Sequence, residues 1–111
     1  MNAVELSSRK CEACHSGMGK LSADQVAEYL RAVPGWEEKD GIITKTFAFK
    51  NYYETMAFVN AIAWIAHRED HHPDLEVHYN RCKVSYNTHA VGGLTDNDFI
   101  CAAKVEQLAN S

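Results

Sequence analysis

The chain has 111 residues, 46% hydrophobic and 23% charged, a balance that suits one folded domain with a modest core. A formal net charge of −4 lacks the basic excess that phosphate binding leaves on a protein, so no direct nucleic-acid partner is expected. The longest apolar stretch, Met56 to Ala66, is broken by Asn60 and is too short for a bilayer, and the N-terminus lacks the pattern of a secretory signal. A cytoplasmic location without a membrane partner is therefore expected, and the four cysteines are read as reduced thiols.

Residues 1–20 are small and polar without a sustained apolar period, and are read as a flexible N-terminal arm ahead of a domain over 21–111. Ser22 and Gln25 make a capping box, and Val26, Leu30 and Val33 mark a helix face that Pro34-Gly35 stops. Trp36–Lys39 and Ile42–Phe49 flank Asp40-Gly41, a two-residue hairpin signal. Asn51 and Glu54 open a second helix with Phe58, Ile62 and Ile65 on one stripe and Ala57, Ala61 and Trp64 on another, which predicts packing against both the sheet and a second surface. His72-Pro73 is expected to end that helical region.

Leu75, Val77 and Tyr79 then alternate with polar residues, Asn80-Arg81 turns, and Cys82, Val84, Tyr86 and Thr88 alternate again. Gly92-Gly93 bends the chain before Thr95 and Asp98 cap a last helix with Cys101, Val105 and Leu108 on its apolar stripe. One-sided strands need helices over their apolar side. The expected fold is thus α+β, a four-stranded antiparallel sheet with three helices on one face, in the order α-β-β-α-β-β-α.

His67, His71 and His72 crowd the end of the second helix, and His89 lies at the end of the last strand. Imidazole exchanges protons near neutrality, and element exits are where chains present functional groups. A plain alternative makes His71 and His72 favourable charges at a helix C-terminus. Asp70-His71-His72-Pro73-Asp74, Tyr79-Asn80, Thr88-His89, Gly92-Gly93-Leu94-Thr95 and Asp98 closely resemble the pterin-4a-carbinolamine dehydratase family, in spacing as well as in identity. The resemblance runs from about Leu21 to Leu108.

That resemblance implies a substrate, 4a-hydroxytetrahydrobiopterin or a related 4a-hydroxytetrahydropterin, left when an aromatic amino acid hydroxylase has used its tetrahydropterin. Dehydration would give quinonoid dihydropterin for a separate reductase, with no metal, nicotinamide or covalent intermediate, so no cofactor is expected. Carried over residue by residue, His71 and His89 match the general acids on either side of the pterin, and His72 matches the histidine that holds the ring. Asp70, Pro73, Thr88 and Asp98 are expected at the substrate, although Asp98 also completes the capping box begun by Thr95. The implied partners are the pterin, further copies of the chain in a homodimer or homotetramer, and an aromatic amino acid hydroxylase. Animal relatives also bind a homeodomain transcription factor, so the alternative function is a protein-binding or pterin-binding scaffold with little catalysis.

The chain departs from the animal pattern twice. His67 replaces a carboxylate four residues before the first motif histidine, and Leu75 replaces a tryptophan. His67 and His71 also have the i, i+4 spacing of metal ligands, but the glutamate of a metalloprotease does not follow His67. Cys11-Glu12-Ala13-Cys14-His15 spells a haem-attachment or zinc-ligand pattern within the arm, and is read as thiols without a catalytic role.

Overall fold

The elements follow in the order α1 (Ala3–Ser7), α2 (Ala23–Ala32), β1 (Glu37–Lys39), β2 (Ile42–Ala48), α3 (Tyr52–Glu69), β3 (Asp74–Val77), β4 (Arg81–Tyr86) and α4 (Asp96–Ala109), with one 3-10 turn at His89–Val91. The structure, a computed structural model, describes residues 2–13, 15 and 17–110. The three long helices start at the caps read from sequence. Ser22 and Gln25 bond reciprocally across the start of α2, at 3.2 and 2.9 Å. Asn51 accepts from the Glu54 N–H at 2.9 Å, and Glu54 reaches back to the Lys50 N–H at 3.0 Å. Each pair satisfies N–H groups for which a helix has no internal partner. Between β1 and β2, Asp40 and Gly41 have φ of 54° and 79°, the two left-handed residues a tight hairpin turn needs.

The sheet runs β1-β2-β4-β3 and every pairing is antiparallel. Ile43 pairs with Tyr86, Lys45 with Val84 and Phe47 with Cys82, so these residues share one face. All of them except Lys45 are buried, and the helices cover them. Lys45 reconciles its charge with this face by setting its ammonium over the Phe47 ring, 5.0 Å from the centroid, and pairing it with Glu106 of α4. Glu106 also accepts from the Trp36 indole N–H at 2.9 Å. The other face carries Thr44, Thr46, Lys83 and Ser85, none of them buried. The alternation stops short of its predicted length at both strands. β3 ends at Val77, leaving Tyr79 65% exposed, while Thr88 lies beyond β4 and bridges to Gly93.

α4 is more enclosed than a single apolar stripe predicts. Every residue from Asn97 to Ala103 is buried. The reason lies in the first twenty residues: α1 packs on α4 and buries Leu6 completely. Lys104 donates to the Ser7 carbonyl at 2.7 Å, Gln107 to the Ser7 hydroxyl at 2.7 Å, and Arg9 pairs with Asp96 at 3.0 Å. Asn97 bonds the Glu12 backbone in both directions, at 2.9 and 2.6 Å. Among the described residues no helix is long and apolar enough to cross a membrane.

Leu6→Ala tests this docking. Loss of a fully buried leucine should lower unfolding stability by about 2 kcal/mol or more, read by chemical denaturation. A loss below about 0.5 kcal/mol, the range of surface changes, would mean that the segment does not pack in solution.

Candidate active site

α3 ends at Asp70, whose φ of 52° and ψ of 42° are left-handed. Aspartate tolerates this conformation better than most residues, because its short side chain can bond locally. The helix therefore stops before His72-Pro73, the end expected from sequence. The His71 N–H closes the reversal on the Ala66 carbonyl at 3.2 Å, a wrapped helix end of the Schellman type. The reversal turns His71 inward to 6% exposure and leaves Asp70 and His72 exposed, with Pro73 half-buried.

Inside, His71 Nε2 lies 2.6 Å from Oδ1 of Asp98, whose side chain has no exposure. Oδ2 of the same carboxylate accepts from the Thr88 hydroxyl at 2.8 Å and from the Thr95 N–H at 3.0 Å. The Thr88 proton is thereby committed, so the Thr95 hydroxyl donates to Thr88 Oγ1 at 2.8 Å. Asp98 sits in the first turn of α4, where the helix dipole favours an anion. A buried carboxylate is costly unless it is hydrogen-bonded and paired, and here it is both.

The His71 ring stacks on Tyr86, with centroids 5.7 Å apart and planes 11° from parallel. Tyr86 is fully buried, and its hydroxyl has no hydrogen-bond partner among the described residues. Burial pushes its phenol well above the ordinary tyrosine range, so the ring stays neutral. The alternating pattern identified Tyr86 as core, but gave no signal that it backs a histidine. Thr95, read from sequence as a cap alone, also enters the network through its hydroxyl.

His89 stands exposed on the 3-10 turn directly after Thr88. The Thr88–Gly93 bridge closes this loop, and Gly92 ends the turn at φ 64°. The β1–β2 turn abuts the same bend, since a Cβ on Gly41 would come within 3.4 Å of Gly93 Cα. Of the residues expected from sequence, hydrogen bonds join His71, Thr88 and Asp98. His72 and His89 enter as chain neighbours of His71 and Thr88, while Asp70 caps α3 and faces outward. His67 packs its ring near Trp64 at 5.6 Å. Cys14 of the cysteine pattern lies outside the described residues, and no metal-holding group of three His, Cys, Asp or Glu occurs among the described ones.

The fold is that of a small α+β domain, and the proteins it resembles place it among the hydro-lyases. The family model for pterin 4 alpha carbinolamine dehydratase matches residues 19–108, and the chain belongs to that family. A Nitrosomonas europaea protein named for this dehydratase is 54% identical over 111 residues, covering 99% of this chain and 98% of that one. A Xanthomonas campestris protein named likewise is 66% identical over 91 residues, or 80% and 77% of the two chains. The solved transcriptional coactivator/pterin dehydratase from Brucella melitensis superposes with a TM-score of 0.79 at 34% identity, covering 82% of this chain and 99% of that one. A pterin dehydratase-like protein identified as a RuBisCO assembly factor in the alpha-carboxysome superposes with a TM-score of 0.58 at 26% identity, over 68% and 88%.

Tyr86→Phe separates the ring from its hydroxyl. Removing a buried hydroxyl without a protein partner should leave stability at neutral pH unchanged or slightly raised. The wild-type phenol titrates later when folded than when unfolded, so stability should fall as pH rises above the ordinary value of 10.0. Tyr86→Phe should lessen that alkaline loss, as read by denaturation curves on either side of this pH.

Proposed function

We propose that the chain dehydrates a 4a-hydroxytetrahydropterin, such as 4a-hydroxytetrahydrobiopterin, by histidine acid–base catalysis. The observation that carries the reading is the buried His71–Asp98 pair, next in sequence to the exposed His72 and joined through Thr88 to His89. Family membership and the names of the relatives support the substrate class.

In the reaction the N5 lone pair expels the C4a hydroxyl, N5 loses its proton and the hydroxyl leaves as water. Two proton transfers are needed, in opposite directions. His71 takes the N5 proton: Asp98 orients its ring and balances the positive charge of the doubly protonated imidazole. His89 protonates the departing hydroxyl, and His72 holds the pterin ring. Thr88 and Asp98, with almost no exposure, act by orienting His71. Each transfer is worth roughly 10²–10⁴-fold, or about 3–5 kcal/mol of barrier, useful for a carbinolamine that already loses water readily. An aromatic amino acid hydroxylase is the class of enzyme that would supply this substrate.

Following the absorbance of enzymatically generated 4a-hydroxytetrahydropterin tests the reading. His71→Ala, His72→Ala and His89→Ala should each slow dehydration at least tenfold while folding survives, in line with the usual worth of a proton-transferring group. Full activity in all three, or no acceleration by the wild type, would refute it.

A second reading, a protein-binding scaffold, draws on the outer side of α3, where Tyr53 is 82% and Trp64 60% exposed. Coactivator and assembly-factor relatives share the fold. Self-association of this chain into a dimer or tetramer is the simplest use of that side. Trp64→Glu should then reduce the mass found by light scattering during size-exclusion chromatography, with dehydration retained if assembly and catalysis are separate.

A further inference from the structure

The N-terminal segment ahead of the matched family region brings a thiol to α4. Cys11 and Cys101 are separated by 90 residues, yet their sulfur atoms lie 3.5 Å apart. The backbone on either side of Cys11 is held in place. Its own N–H donates to Glu69 at the end of α3 at 2.8 Å, and the adjoining Glu12 is bonded in both directions to Asn97 of α4. Cys101 is wholly buried in the middle of α4, whereas Cys11 is only half-buried, so an oxidant reaches Cys11 first.

We propose that Cys11 and Cys101 form an oxidative modification site, which a peroxide converts into an intramolecular disulfide clamping the N-terminal segment onto α4. The Cys11 sulfur attacks one oxygen of hydrogen peroxide, giving a sulfenic acid, and the thiol proton leaves with the second oxygen as water. The Cys101 sulfur then attacks the sulfenic sulfur. The S–O bond breaks as the S–S bond forms, and the expelled hydroxide leaves with the Cys101 proton as a second water. Two thiols lose two electrons and one peroxide gains them, so the step balances. Cys101 holds its proton far above the ordinary thiol range, through its hydrogen bond to Cys11 and then through burial, so Cys11 makes the first attack.

The clamp lies beside the two elements that carry the buried pair. Cys11 is tied to Glu69, two residues before His71, and Cys101 lies one turn beyond Asp98. Closing so long a loop restricts the unfolded chain, so oxidation should stabilise the protein.

The test uses the full chain and needs no substrate. Wild type, Cys11→Ser and Cys14→Ser are each treated with hydrogen peroxide, alkylated while unfolding, and mapped by peptide mass spectrometry without reduction. Wild type and Cys14→Ser should yield a peptide pair joined through Cys11 and Cys101, with Cys82 alkylated, and Cys11→Ser should yield none. Tm should rise on oxidation by about 4 °C or more in the first two proteins and not in Cys11→Ser. Recovery of Cys101 fully alkylated, or a Cys11–Cys14 link in its place, would overturn the proposal. So would a Tm change that persists in Cys11→Ser.

Discussion

A carboxylate with no solvent exposure cannot stand in a protein core unless other groups replace its lost water. Asp98 meets that condition with donors from three separate stretches of chain: the Thr95 backbone at the start of α4, the Thr88 hydroxyl after β4, and the His71 ring after α3. Removing any one stretch leaves part of a buried charge uncompensated. The carboxylate is therefore satisfied only when the end of α3, the exit of β4 and the first turn of α4 meet. Helix capping and support of an imidazole are not rival roles for this residue, because different oxygens perform them. One oxygen closes the capping box, and the other meets His71.

Much of this was legible from local signals. Ser22 with Gln25, Asn51 with Glu54 and Asp40-Gly41 act within a few residues of themselves, so the sequence announces them without knowledge of the fold. The motif from Asp70 to Asp98 was legible as a family resemblance, and residues 19–108 match the family. The end of α3 was less so. Pro73 suggested a stop at His72, whereas the left-handed Asp70 ends the helix sooner, and that earlier stop is what turns His71 inward.

What sequence concealed depends on distance along the chain. Leu6 lies in a short segment with Val4, which is exposed, and no sustained periodicity advertises its burial. Its segment is tied to α4 by Asp96, Asn97, Lys104 and Gln107, polar residues that read as a solvated helix surface until their partners, 85 to 100 positions away, are known. The two-striped character of α3 was visible, but its meaning is divided. Phe58 and Ile62 are buried in the core, while Trp64 on the other stripe remains exposed within one chain. Tyr86 obeyed its alternating pattern and still hid its contact with His71, because stacking across the core leaves no trace in spacing.

The same separation of environments bears on the direction of proton flow in the proposed reaction. His71 and His89 are chemically identical side chains, and sequence alone gave both the same role. One is enclosed, stacked on a neutral ring and bonded to a buried carboxylate; the other is exposed on a short turn. At His71 a buried carboxylate lies within hydrogen-bond distance, placed to balance a cationic ring where water cannot do so. At His89 the ring is open to solvent. The proposed assignment of base to His71 and acid to His89 matches this difference in surroundings, which the buried Asp98 creates.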